Sequence, residues 1–121
     1  MRLLAIDYGL KRVGLAISEG FLADPLKVVK NSENLTLEIA ELCEQHQIEK
    51  IVIGIPGRSK MAQVIKNFGK KLASQTRQTV VYWDETLTSV EAEKIARKRT
   101  EADAVAAAII LQSYIDANEQ G

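Results

Sequence analysis

Four acidic residues stand where a strand-like apolar run stops or a helix begins. Asp7 follows "LLAI", the adjacent Asp84 and Glu85 follow "TVVYW", and Asp103 precedes "AVAAAII". Carboxylates gathered from distant points of a chain repel one another unless a cation joins them. An oxygen-only ligand set suits Mg²⁺ or Mn²⁺. His46 is the only histidine and Cys43 the only cysteine, which excludes a His/Cys metal cluster and an internal disulfide. Each acid also has a plainer use. Asp7 can accept hydrogen bonds from the turn after it. Asp84 or Glu85 can serve the turn before Thr88, and Asp103, three residues after Thr100, has capping-box spacing. Which use applies depends on the elements that carry the acids.

Residues 2–7 read as a strand that is apolar on both faces and therefore central. A turn at 8–11 leads into a second strand at 12–18, antiparallel to the first because the link is short. Residues 25–29 predict a third strand with Pro25 at its first position. From Asn31 the period becomes helical, with Leu35, Ile39, Leu42 and Cys43 on one face. Asn31 or Ser32 is the expected cap, and His46 falls at the helix end, where the dipole favours it. Residues 50–56 form an apolar strand ended by Pro56. A second helix follows over 59–76, with Val64, Phe68 and Leu72 as its buried stripe. Residues 79–85 give a fifth strand, with Tyr82 or Trp83 directed to the core. Thr88 and Glu91 have capping-box spacing at the start of a short helix over 88–99. A strongly apolar helix spans 101–117.

The expected fold is α/β, one domain over residues 1–121. Its mixed five-stranded sheet is a three-stranded antiparallel meander followed by two parallel crossover strands, with helices on the faces. The first strand and the crossover strands then share a C-terminal edge, where open sheets place their sites. Asp7, Asp84 and Glu85 lie on that edge. Alternation along a strand lets only one of Asp84 and Glu85 face Asp7. Asp103, in the first turn of the last helix, can reach the same edge if that helix packs on the sheet.

Net charge is zero, so no global field draws the chain to nucleic acid or membrane. The distribution is uneven: residues 1–57 carry −2, residues 58–99 carry +6 and residues 100–121 carry −4. A basic middle suits contact with phosphate, or simply solvated helix surfaces. No run approaches the ~20 apolar residues that cross a bilayer. The short apolar start is interrupted by Asp7 too early for a signal peptide. Together with the single cysteine, this points to the cytoplasm.

The segments "IDYGLKRVGLAIS", "IVIGIPG", "DETLTSVEAE" and "DAVAAAIILQSYID" resemble, in that order and over nearly the whole chain, the motifs of the YqgF/RuvX family. The resemblance implies the ribonuclease H-like fold. It implies a Holliday-junction resolvase or a nuclease that processes the 5′ end of pre-16S ribosomal RNA. It places an acidic catalytic site on Asp7, Glu85 and Asp103, with Asp84 as a neighbouring candidate metal ligand. Gly9, Lys11, Arg12 and Gly14 match the family's glycine-basic hairpin, and Gly54 and Pro56 its Gly-x-Pro turn. Three features depart from the family. Thr86 replaces the usual arginine of "DER", the loop after Pro56 is short, and the basic linker before the last helix is reduced to "ARKRT".

Phosphodiester hydrolysis by such a site would use two divalent ions, Mg²⁺ or Mn²⁺, bridged by Asp7, with Glu85 and Asp103 completing one coordination shell each. Lys11, Arg12, Arg58 and Lys60 near the edge are candidates for flanking phosphates, and Arg97, Lys98 and Arg99 form a second basic patch. Tyr8 is a candidate for base stacking. The expected partner is nucleic acid, pre-rRNA ahead of branched DNA, with no membrane and a monomer or weak homodimer. Two other classes stay open: a nucleic-acid-binding module without catalysis, and half of an actin- or hexokinase-like nucleotide site.

Overall fold

The computed structural model describes residues 1–88, 93–94 and 104–118. Its elements are β1 (Leu3–Tyr8), β2 (Arg12–Ser18), β3 (Ala23–Lys30), α1 (Leu35–Gln45), β4 (Lys50–Ile55), α2 (Lys60–Thr76), β5 (Thr79–Asp84), a 3₁₀ turn (Glu85–Leu87) and α3 (Val105–Asn118). The sheet order is β3-β2-β1-β4-β5. β2 pairs antiparallel with β1 and β3, and β4 pairs parallel with β1 and β5. The expected meander and parallel crossovers are both present. The short helix expected over 88–99 falls almost wholly outside the described residues.

Alternation along β1 divides the interior in two. Leu4 and Ile6 join Val13, Leu15, Ile51 and Ile53 beneath α1 and α2. Leu3 and Ala5 join Ala16, Ala23 and Val52 beneath α3. The α3 side is built from small residues. Ala107 and Ala108 meet Ala5 and Ala16, all fully buried, so the helix lies close against the strands. α3 is buried on nearly every side, as its apolar composition predicts. Its two polar core residues are both bonded. Gln112 accepts the Ala23 N–H at 2.9 Å and donates to the Phe21 carbonyl at 3.0 Å, which ties α3 to the β2–β3 turn.

Several local expectations need correction. Pro25 is the third residue of β3, not its first, and sits where the β2–β3 register shifts. An edge strand tolerates it because no partner needs its missing N–H. Neither Asn31 nor Ser32 is the residue before α1, which is Asn34. Asn31 instead donates to the Gly9 carbonyl at 2.8 Å, and the Ser32 hydroxyl accepts the Asn34 N–H at 3.2 Å. The α2 stripe is Ala62, Ile65, Gly69 and Leu72, with Phe68 half-buried and Val64 40 % exposed. Gly69 belongs to this face because a Cβ there would meet the Tyr82 hydroxyl. Ser59 caps α2, accepting the Ala62 N–H at 3.2 Å. Among the described residues, no helix is long and apolar enough to cross a membrane.

Candidate nucleic-acid-processing site

Asp7 follows the buried part of β1 and points to the α3 side, like Ala5 and Leu3 two and four residues before it. Directly across the ladder stands Gly14. A Cβ there would touch the Asp7 and Ala107 Cβ atoms, both at 3.7 Å, and the Ala104 Cα at 3.9 Å. The start of α3 therefore lies beside Asp7. Gly54 of β4 makes room from the other side, since a Cβ on it would strike Ile110 and come within 3.0 Å of the Glu85 Oε1. Gly14 and Gly54 are strand residues, not turn residues as the resemblance implies, and Gly54 is the one that clears space. Gly9 does belong to the β1–β2 turn, where a Cβ would collide with the Arg12 carbonyl. Pro56 follows the last residue of β4, and Gly57 then takes the left-handed conformation at φ +65°.

Glu85 reaches the site because the chain leaves β5 at Asp84 and turns. The Asp84 Oδ1 accepts the Thr86 N–H at 2.9 Å and the Thr86 hydroxyl at 2.8 Å, capping the 3₁₀ turn. These bonds hold the solvent-facing Asp84 carboxyl below its ordinary range. Thr86, in the place of an arginine, thus fixes Asp84 to the turn. Glu85 swings inward and its carboxyl hydrogen-bonds Asp7. The turn is fastened to α3 by Ser113, whose hydroxyl accepts the Trp83 indole N–H and donates to the Leu87 carbonyl, both at 3.1 Å. Thr88 closes it by donating from its hydroxyl to the Glu85 carbonyl at 2.9 Å.

Asp7, Glu85, Thr88 and Ile110 line an open cleft of about 250 Å³. Burial pushes the Asp7 carboxyl up, partly offset by the hydrogen bond from Glu85. Burial pushes Glu85 up as well, and the Asp7 charge and the shared hydrogen bond add to it. Burial and their mutual charge both disfavour ionising the two carboxyls together. Such a pair is an oxygen-donor set for a hard divalent cation, which would relieve both burial and repulsion. Among the described residues, no group of three or more ligating side chains occurs. Asp103 lies outside them, as do Arg97, Lys98 and Arg99.

Lys11, Arg12, Arg58 and Lys60 are all exposed at the edge that carries Asp7, on its loops or at the first residues of β2 and α2. Tyr8 points to the other face of the sheet, with its ring centroid 4.5 Å from that of Phe68. Ser113, Thr88 and Trp83 were not singled out as parts of a site. Ser113 leaves one trace in the sequence: a polar "QS" pair inside an otherwise apolar helix must find partners.

A model of the RuvX family, described as Holliday junction resolvase, matches residues 1–117. A protein of Syntrophus aciditrophicus (strain SB), described as "Putative pre-16S rRNA nuclease", is 39% identical over 137 residues, covering 99% of this chain and 91% of that protein. One of Protochlamydia amoebophila (strain UWE25) with the same description is 40% identical over 139 residues, covering 95% and 93%. Both alignments are longer than the 121 residues of this chain, in keeping with its shortened loops. Among solved structures, Thermus thermophilus RuvC in complex with Holliday junction substrate superposes with a TM-score of 0.65 at 15% identity, covering 98% of this chain and 97% of that one. At that identity the likeness concerns the fold, which is ribonuclease H-like.

Proposed function

The chain belongs to the RuvX Holliday junction resolvase family, and from that premise we propose that it is one nuclease domain that hydrolyses phosphodiester bonds of structured nucleic acid, foremost in 5′-end processing of pre-16S ribosomal RNA. One observation carries the reading: two carboxyl groups, Asp7 from β1 and Glu85 from the 3₁₀ turn after β5, meet in an open cleft on the C-terminal edge of the sheet. The relatives named as pre-16S rRNA nucleases cover nearly the whole chain, which favours RNA as the substrate.

In this reading Asp7 and Glu85 hold a divalent cation, Mg²⁺ or Mn²⁺. Asp103 would complete the set, as the family motif implies. When bound, the cation would supply an activated water and take up charge on the leaving oxygen. The chain's own residues do the rest. Asp7 and Glu85 fix the site's position on rigid elements, Ile110 and Thr88 bound the cleft, and Lys11, Arg12, Arg58 and Lys60 hold flanking phosphates. The Asp84 Oδ1 caps the turn, and Asp84 is kept as a neighbouring candidate ligand. The buried, unpaired Cys43 fits a reducing cytoplasm.

The test compares wild type with Asp7→Asn on a pre-16S rRNA precursor and on a four-way DNA junction, with and without Mn²⁺. The expected result is Mn²⁺-dependent cleavage of the precursor that the substitution abolishes while the cooperative thermal melt survives. Equal cleavage by the two proteins would remove Asp7 from the mechanism. Cleavage of the junction alone would favour the resolvase reading, which the family model's description supports. Paired cuts there require two copies, so a solution mass measurement bears on the same choice. Binding of both substrates without cleavage would favour a non-catalytic module.

A further inference from the structure

A second hollow, of about 320 Å³, opens at the same edge of the sheet but on its opposite face, between the start of α1 and the middle of α2. Tyr8 forms one wall. It follows Asp7 directly, and strand alternation sends the two side chains to opposite faces. The Tyr8 ring lies against Phe68 with the planes tilted by 33°. Val64 leaves an apolar surface at the mouth, 40 % exposed. Asn67, Lys71 and Glu33 supply polar groups around the rim. The Asn67 Oδ1 accepts Gln63 Nε2 at 3.0 Å, which leaves the Asn67 amide N–H groups for a ligand. Lys71 of α2 is the basic residue of the hollow's lining and Glu33, before α1, the acidic one.

We propose that this hollow is a nucleotide subsite that takes an unpaired base flanking the phosphate held at Asp7. The proposal rests on the nuclease reading above and specifies its substrate as a strand with at least one unstacked base. The base enters against Tyr8 and Phe68, where an aromatic wall accepts any base by its π-face. Asn67 donates to an acceptor on the base edge, Glu33 accepts from an exocyclic amino group, and Lys71 pairs with the adjoining phosphate. A fully paired duplex keeps its bases stacked and cannot fill the hollow.

The experiment uses the full chain with Asp7→Asn, so that binding is read without cleavage. The probe is a short single-stranded oligoribonucleotide with one 2-aminopurine, whose fluorescence falls when the base stacks on an aromatic ring. The same oligonucleotide annealed to its complement is the control. The single strand is expected to quench on binding and the duplex not to. Phe68→Ala should remove the quench and weaken binding about tenfold. Because Phe68 is half-buried, Asn67→Ala and Lys71→Gln at the exposed rim provide variants that keep the fold, each weakening single-strand binding severalfold. Absence of the quench in the parent protein, or its persistence at equal affinity in all three variants, overturns the proposal. Metal-dependent cleavage by wild type is read separately. A quench without cleavage would sink the nuclease reading and leave the subsite standing, and cleavage without a quench would do the reverse.

Discussion

Asp7 and Glu85 are 78 positions apart in the chain, yet their carboxyl groups share a hydrogen bond at the end of the sheet. Neither residue is positioned by its own strand alone. Gly54 leaves the room, and α3 holds the turn that carries Glu85.

The pair makes the cation-free protein sensitive to pH. Both carboxyls are raised above their ordinary values of 3.8 and 4.5, so the folded chain binds more protons than the unfolded one. Stability is then fully present below the ordinary values and falls as pH rises through the raised ones. Asp7→Asn removes one charge of the pair. It should raise the melting temperature at neutral pH by about 3 °C in the presence of chelator and flatten the fall between acid and neutral pH. A melting temperature unchanged or lowered at neutral pH would contradict the coupling.

Ser113 acts through Glu85. Ser113→Ala leaves the Trp83 indole N–H and the Leu87 carbonyl without their shared partner, at a cost of about 1–2 kcal/mol. Beyond this loss, the turn should loosen and kcat fall more than KM rises. Ser113→Thr, which restores the hydroxyl, should recover kcat in part. Steady-state kinetics on the RNA precursor check this, and a kcat equal to wild type in the alanine variant would show that the turn holds without α3.

Gly54→Ala places a methyl group against Ile110 and the Glu85 Oε1. Overpacking of this kind costs about 1–3 kcal/mol, and Glu85 must move. Activity should drop more than tenfold (~1.4 kcal/mol in barrier), whereas Gly14→Ala, whose Cβ meets only ordinary contacts of 3.7 Å or more, should be milder. Comparable activity in the two variants would argue against the difference in space.

Burial pushes the Cys43 thiol up to about 11. At mildly alkaline pH a thiol-reactive dye should label the native protein slowly, at the rate of its unfolding or local opening. Rapid labelling without denaturant would mean that α1 does not cover Cys43 as described.

The strands and their order were legible because apolar runs of strand length alternate with helical periods, and β1 is apolar on both faces. Asp7 was legible for the same reason: a charge at the end of such a run needs an explanation. The choice between Asp84 and Glu85 was not open to strand alternation, because the backbone stops being a strand at Asp84 and the 3₁₀ turn redirects the next side chain. The family motif supplied Glu85 where periodicity could not. The α2 stripe was misread because its contact face runs through Ala62 and Gly69, which hydrophobicity overlooks and close packing requires. Val64 looked like core by spacing alone and is exposed. The helix caps were missed because Asn31 and Ser32 serve the loop before α1.

Pro25 and the register shift beside it lie on β3, the outermost strand on that side of the sheet. A strand without a continuous row of donors is a poor template for another backbone. Crowded or newly made copies of this protein therefore have no ready seam to zip along there. A pair of copies working on one nucleic acid would not meet through this strand, which leaves their spacing to other surfaces.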